Sequence, residues 1–395
     1  MEYTGTTAQG RITQLYQFVN RLHSGVPYYL SKQAKAFPPW HYFFEITRRC
    51  NLRCKMCQYI EYLEHVPAHQ QRADELTTEE WLDVIDQTQP LSLITFTGGE
   101  VWLRKDFSTI LEHACKKRRV HFITNGVLLD EERAARCIEL APKIPGGVGL
   151  NFVGVSIDGT EAIHDRIRAQ QGAYRKSIQA IERLVTRRKA SGKIAPYIHI
   201  NTVILNDNLD VLPDLPDLAA AAGAQVLNLL TEMRGPDNQE LGHVDPATFH
   251  AKDVNTSHID RSRLGDALRE TRRRARAAGI ELRMPRMPDE EIVEHYDGGY
   301  DLRHMACHSI WTNLYVGAKG GVYPCFLKKV GNVREQPLRA LWNSPQMRAF
   351  RTRRRTEAFE VCRGCCEMEH CRKPLAAKRR VDSPQSAAPI DTHIA

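Results

Sequence analysis

Residues 41–57 read HYFFEITRRCNLRCKMC, an apolar run followed by Cys50, Cys54 and Cys57 in the spacing Cys-x3-Cys-x2-Cys. Aromatic and β-branched residues without Gly or Pro mark Tyr42 to Thr47 as a strand, so the three thiols share the short loop that leaves it. Three thiolates on one loop can hold three irons of a [4Fe-4S] cube and leave the fourth iron open, because no fourth cysteine lies nearby. The competing reading is a zinc knot. It wants Cys-x2-Cys pairs and a fourth ligand close by, for which His41 and His65 are the candidates.

Working outward, a second apolar strand, Leu93 to Thr97, runs directly into Gly98, Gly99 and Glu100. Two residues without Cβ let a backbone carbonyl approach a ligand, and a carboxylate pairs an ammonium. Further strands are predicted at His121 to Thr124, Val153 to Ile157, Tyr197 to Val203 and Gln225 to Leu230. Helices are predicted at Thr78 to Gln87, opened by a Thr77–Glu80 capping box, and at Phe107 to Lys117, Glu131 to Leu140, Tyr174 to Ala190 and Val211 to Ala222. Strands alternating with helices imply an α/β fold, a partial (β/α)6 TIM-type barrel whose reactive groups gather at the C-terminal strand ends. Asn125, Ser156, Asp158 and Asn201 all fall at such ends, although Asn-Gly and Asp-Gly also form plain turns.

The cysteine triplet with a Gly-Gly-Glu one strand later resembles the radical SAM superfamily, with Met56 standing where that family usually has an aromatic residue. The resemblance implies that Cys50, Cys54 and Cys57 hold a [4Fe-4S] cluster with S-adenosylmethionine (SAM) at its open iron. It also implies that Gly98, Gly99 and Glu100 receive the methionine amino group, and that Asn125 and Asn201 line the pocket. Ser156 or Asp158 would take the ribose, and Arg168, in His164-Asp165-Arg166-Ile167-Arg168, would stand at the carboxylate-binding position. Reductive cleavage of SAM would then give a 5′-deoxyadenosyl radical that abstracts hydrogen from a substrate, with a flavodoxin- or ferredoxin-type protein as electron donor.

A second cysteine set crowds the C-terminal quarter: Cys307, Cys325, Cys362, Cys365, Cys366 and Cys371. Gly317, Gly320 and Gly321 turn the chain between Cys307 and Cys325, bringing those two thiols together. The spacing of Cys307, Gly320 and Cys325, followed by Cys362, Cys365 and Cys371, resembles the SPASM/Twitch extension of radical SAM enzymes. Its two-cluster form needs two more cysteines after Cys371, so the resemblance implies a small cysteine-rich α+β domain with one auxiliary [4Fe-4S] cluster. Cys307, Cys325, Cys362 and Cys365 match the shorter ligand pattern, with Cys371 the alternative to one of the last pair. A structural zinc is the competing reading here too. Cys115 and Cys137 fall on helices as buried thiols.

Composition limits the rest. A chain of 395 residues that is 42% hydrophobic can bury a core of about two domains. No long apolar run or signal-peptide pattern appears, so a cytoplasmic protein with reduced thiols is expected, and eleven cysteines then argue for metal over disulfides. The net charge is +8, with basic runs at Arg272 to Arg274, Arg351 to Arg355 and Lys378 to Arg380, but no aromatic residues interleave them and a nucleic-acid partner is not expected. The expected organisation is a helical arm at 1–38, barrel at 39–235, connector at 236–300, cluster domain at 301–374 and a disordered tail at 375–395. The arm is too short for a leader-binding domain. With the single auxiliary cluster, this favours oxidation or epimerisation of a small polyol or aminosugar-like metabolite, an oxidoreductase-type reaction. The alternatives are modification of a peptide or protein side chain, and a non-catalytic iron-sulfur redox sensor.

Overall fold

The apolar run becomes strand β1 (His41–Thr47), and its alternation decides which way each side chain points. Tyr42, Phe44 and Ile46 are buried on one face, Phe44 against Trp81 of the helix Thr78–Asp86 with ring centroids 5.4 Å apart. His41, Phe43 and Glu45 occupy the other face. The helix starts where the capping box predicts: Glu80 N donates to Thr77 Oγ1 at 3.2 Å, and Thr77 N donates to Glu80 Oε2 at 2.7 Å.

The computed structural model describes residues 8–232, 259–296, 302–325, 328–358, 362, 365 and 367–370. After β1 come β2 (Leu93–Gly98), β3 (Arg119–Thr124), β4 (Gly149–Ser156), β5 (Tyr197–Ile204), β6 (Val226–Thr231) and β7 (Glu281–Arg283), each parallel to the one before. Helices Phe107–Lys117, Glu131–Glu139, Ala173–Ala190 and Leu215–Ala222 lie between them as expected. The C-terminal strand ends therefore share one rim, which is what gathers the site.

Two features extend the expected sheet. Within the connector range, β7 pairs with β6, Asn228 opposite Arg283. On the other side, after the two-residue β8 (Met305–Ala306), β9 (Asn313–Val316) lies parallel to β1, and β10 (Gly321–Tyr323) and β11 (Gly331–Asn332) follow it antiparallel. The hairpin between Cys307 and Cys325 thus completes a ten-stranded sheet in the order β11-β10-β9-β1-β2-β3-β4-β5-β6-β7. Phe43 and Tyr315 stack across the β1–β9 seam at 4.7 Å. β12 (Glu369–His370) pairs separately with β8.

The helix expected from Val211 begins four residues later, at Leu215, and the 3-10 turn Asn206–Asp214, with Pro213 inside it, fills the gap. The helix Glu161–Arg168 was not expected; it ends where Ala169 turns left-handed at φ 54°. Within the expected helical arm, the helix runs Ala8–Leu30. Residues 233–258, Cys366, Cys371 and the tail lie outside the described residues.

Two of the three basic runs are tied down within the fold, and the third, Lys378 to Arg380, lies outside the described residues. Arg273 pairs with Glu270 at 2.6 Å and Arg274 with Asp214 at 2.6 Å. Arg351 is fully buried with its guanidinium 4.0 Å from the Trp342 ring centre, and burial lowers its pKa to about 9. Among the described residues, no helix is long and apolar enough to cross a membrane.

Candidate functional site

Thr47 ends β1, and the loop that follows puts three sulfurs within electrostatic reach of one another. Each sulfur has a nitrogen facing it. Leu52 N donates to Cys50 Sγ and Tyr59 N to Cys57 Sγ, both at 3.4 Å, while Arg168 Nη1 lies 3.7 Å from Cys54 Sγ. Asn125 Nδ2 adds a contact to Cys50 Sγ at 3.9 Å and donates to Asn51 Oδ1 at 2.9 Å. Donors on every sulfur suit thiolates bound to iron. Burial pushes the Cys50 thiol up to about 12, so binding iron there displaces a proton. Among the described residues, no three His, Cys, Asp or Glu side chains meet at the spacing of one ion's ligands.

The Gly-Gly-Glu segment fixes this loop from beneath. Gly99 N donates to Thr47 O and Glu100 N to Arg49 O, each at 2.8 Å. A Cβ on Gly98 would stand 2.1 Å from Thr47 O, and one on Gly99 would stand 2.2 Å from Arg49 O, so the two backbones touch only because side chains are absent. Gly98 also has φ +136°.

Glu100 is fully buried. Its carboxylate accepts from Thr124 Oγ1 at 2.7 Å, Asn125 N at 2.8 Å and Trp102 N at 3.2 Å. Burial raises its pKa, and these three bonds pull the other way. The side chain read as an ammonium partner is thus also a bracket between the ends of β2 and β3, while the backbone of Gly98 and Gly99 packs on the cysteine loop.

The other strand-end residues divide into two groups. Asp158 is fully buried, its Oδ2 2.6 Å from Arg168 Nε and its Oδ1 accepting from Val203 N at 3.2 Å. Burial opposes the Arg168 charge, but Asp158 and Cys54 outweigh it and hold the guanidinium protonated more firmly than usual. Arg168 therefore links a cluster-loop sulfur to a buried carboxylate. Ser156 sits half-buried at the end of β4 beside its register partner Asn201, whose Oδ1 accepts from Asn228 Nδ2 at 3.2 Å.

The second cysteine set gathers at the edge of the fold that carries β8 and β12. Cys307, Cys362 and Cys365 are buried and Cys325 is half-buried. Cys365 N donates to Cys362 O at 3.2 Å, closing a turn between that pair. Burial raises the Cys307 pKa, and the Arg354 guanidinium lowers it. Sequence reasoning missed Arg354, which hides in a basic run; the signal available was the Trp and Cys content on either side of it. Cys371, the alternative ligand, lies outside the described residues. Cys115 and Cys137 are buried on helices, as expected.

Between the sheet and the C-terminal segment lies a cavity of about 290 Å³, reached by His41, Asn228, Arg283, Asn313 and Glu367.

Comparisons with known proteins bear on both cysteine sets. The radical SAM superfamily model matches residues 44–212, and an iron-sulfur cluster-binding domain model, SPASM, matches residues 307–366. An AdoMet-dependent heme synthase of Methanosarcina barkeri is 29% identical over 82% of this chain and 87% of its own. A PqqA peptide cyclase of Granulibacter bethesdensis is 28% identical over 84% of this chain and 81% of its own. In fold, the chain resembles Streptococcus suis SuiB bound to the precursor peptide SuiA, with a TM-score of 0.58 and 12% identity over 88% of this chain and 73% of that one. A [4Fe-4S] cluster with SAM, and an auxiliary cluster, are the cofactors these two domains imply. The chain belongs to the radical SAM enzymes and carries an iron-sulfur cluster-binding SPASM domain in its C-terminal part.

Proposed function

We propose that the protein modifies a side chain of a peptide or protein substrate, using a flavodoxin- or ferredoxin-type electron donor. The observation that carries this reading is the 28% identity to a peptide cyclase across more than four-fifths of both chains. The cavity of about 290 Å³ lies apart from the strand ends read as the SAM site: its lining includes His41 and Asn313, which open β1 and β9, and none of the residues assigned to SAM. The relatives favour this branch over the polyol or aminosugar reading. A tetrapyrrole substrate is the second reading, favoured by the heme synthase overlap.

In this account Cys50, Cys54 and Cys57 hold the first cluster, and Cys307, Cys325, Cys362 and Cys365 hold the auxiliary one, with Cys371 the alternative. When bound, the first cluster supplies the electron that cleaves SAM to a 5′-deoxyadenosyl radical, which takes hydrogen from the substrate. The chain's own part is to aim and to exclude water. The Gly98–Gly99 backbone and Glu100 orient the amino end of SAM, and Arg168 its carboxylate. Ser156 is left for the ribose because the Asp158 carboxylate is committed to Arg168. Asn125 and Asn201 border the nucleoside.

The test is anaerobic turnover of the reconstituted enzyme with SAM, reductant and a panel of candidate peptides, including any short peptide encoded beside its gene. Mass spectrometry should find one 5′-deoxyadenosine per modified peptide and a peptide lighter by two hydrogens. Equal 5′-deoxyadenosine with and without every peptide, and no mass change, would reject the peptide reading. Turnover of an iron porphyrin instead would move the assignment to the tetrapyrrole.

A further inference from the structure

Arg354 belongs to a run of basic residues that reads as a surface patch, yet it is only 4% exposed. The helix Pro345–Thr356 carries it on the same face as Met347, Phe350 and Arg351, all of them buried. A guanidinium in such a place needs acceptors for its N–H groups. Arg354 donates to the Glu357 carbonyl, and its Nη2 lies 3.7 Å from Met368 Sδ. It also donates to the Cys307 sulfur, and its charge reaches the sulfurs of Cys362 and Cys325. Met368 itself is tied to the set, since its N donates to Cys365 O at 3.0 Å. One buried cation therefore acts on three of the four described cysteines of the second set, and Met368, which it touches, is bonded to the backbone of the fourth.

We propose that Arg354 raises the reduction potential of the auxiliary cluster and so makes it an acceptor for the electron left on the substrate radical. This rests on the proposed ligand set of Cys307, Cys325, Cys362 and Cys365. Reduction adds negative charge to a cluster, so a nearby cation and an N–H donated to a ligand sulfur stabilise the reduced form. The first site differs in one respect that matters. Arg168 touches Cys54, but the buried Asp158 carboxylate lies 2.6 Å from that guanidinium and offsets its charge. Arg168 thus adds little positive field at the cluster that must be strongly reducing, whereas Arg354 acts at the one that must accept.

The experiment is a redox titration followed by electron paramagnetic resonance, on the reconstituted holoenzyme and its Arg354→Lys and Arg354→Gln variants. Iron and sulfide are counted on each sample. Arg354→Gln should keep its iron, leave the first cluster's midpoint unmoved and lower the auxiliary midpoint. At fixed potential its reduced-to-oxidised ratio should fall about tenfold, equivalent to 59 mV for a one-electron couple. Arg354→Lys should fall between the two. Full iron with an unmoved auxiliary midpoint in Arg354→Gln would overturn the proposal. Loss of auxiliary iron from both variants would also overturn it, making Arg354 a structural clamp. Failure of the ligand set reads out separately, as a Cys307→Ala variant that keeps the auxiliary signal unchanged.

Discussion

A variant with Cys50, Cys54 and Cys57 all changed to alanine is expected to make no 5′-deoxyadenosine from SAM and reductant, yet to keep about four irons per chain. The three sulfurs stand on one loop, and those of the second set all lie beyond residue 306. Removing the first trio takes away every thiolate offered to that cluster and none offered to the other. Two of the three positions are half-buried, so truncation to alanine leaves little void and the chain should remain folded. Iron and sulfide counts with chromatography of 5′-deoxyadenosine check both halves. Residual cleavage would mean that other residues hold the reactive cluster. Complete loss of iron would mean that the second set holds none by itself.

Gly99→Ala should be nearly as severe without touching a ligand. Its new Cβ would meet Arg49 O at 2.2 Å and Arg48 O at 2.6 Å, and backbone cannot yield as the tip of a side chain can. The cysteine loop must shift, and displacement of a reacting group by about 1 Å costs on the order of 100-fold in rate. The expected result is that fall in 5′-deoxyadenosine formation, with weaker retention of the first cluster during reconstitution. Gly172→Ala is the control. Gly172 has φ +78° but nothing within 4 Å of a new Cβ, so it bears the backbone strain without the clash. Gly99 itself has no left-handed φ, so equal losses in the two variants would show that contact with the loop is not what its missing side chain supplies.

The barrel part of the sheet was legible because each strand of β1 to β6 is a short apolar segment bounded by turn residues, and the Thr77–Glu80 capping box marks its helix to the residue. The seam between β1 and β9 was not legible. Nothing in the local pattern of Asn313–Val316 says that its partner is a strand more than 250 residues earlier, since such pairing is settled by tertiary packing. The helix Glu161–Arg168 was missed because so many of its residues are charged, yet it buries His164, Asp165 and Arg168 through specific polar contacts that periodicity does not register.

The same limit applies at the site. Cys50, Cys54, Cys57 and the Gly-Gly-Glu stand out in the sequence by their spacing and by the family they resemble. That Asp158 is spent on Arg168, and that Glu100 braces Thr124 and Asn125, depends on which side chains meet across neighbouring strand ends. Arg354 was hidden for the opposite reason: a run of basic residues looks solvated unless one knows which face of the helix is buried.

Electron paramagnetic resonance of the reduced enzyme, recorded before and after adding SAM, tests the open-iron claim most directly. The account predicts that SAM changes the signal assigned to the Cys50, Cys54 and Cys57 cluster, while the auxiliary signal that survives in the triple-alanine variant does not respond. An identical spectrum with and without SAM, on protein carrying its full iron, would contradict it.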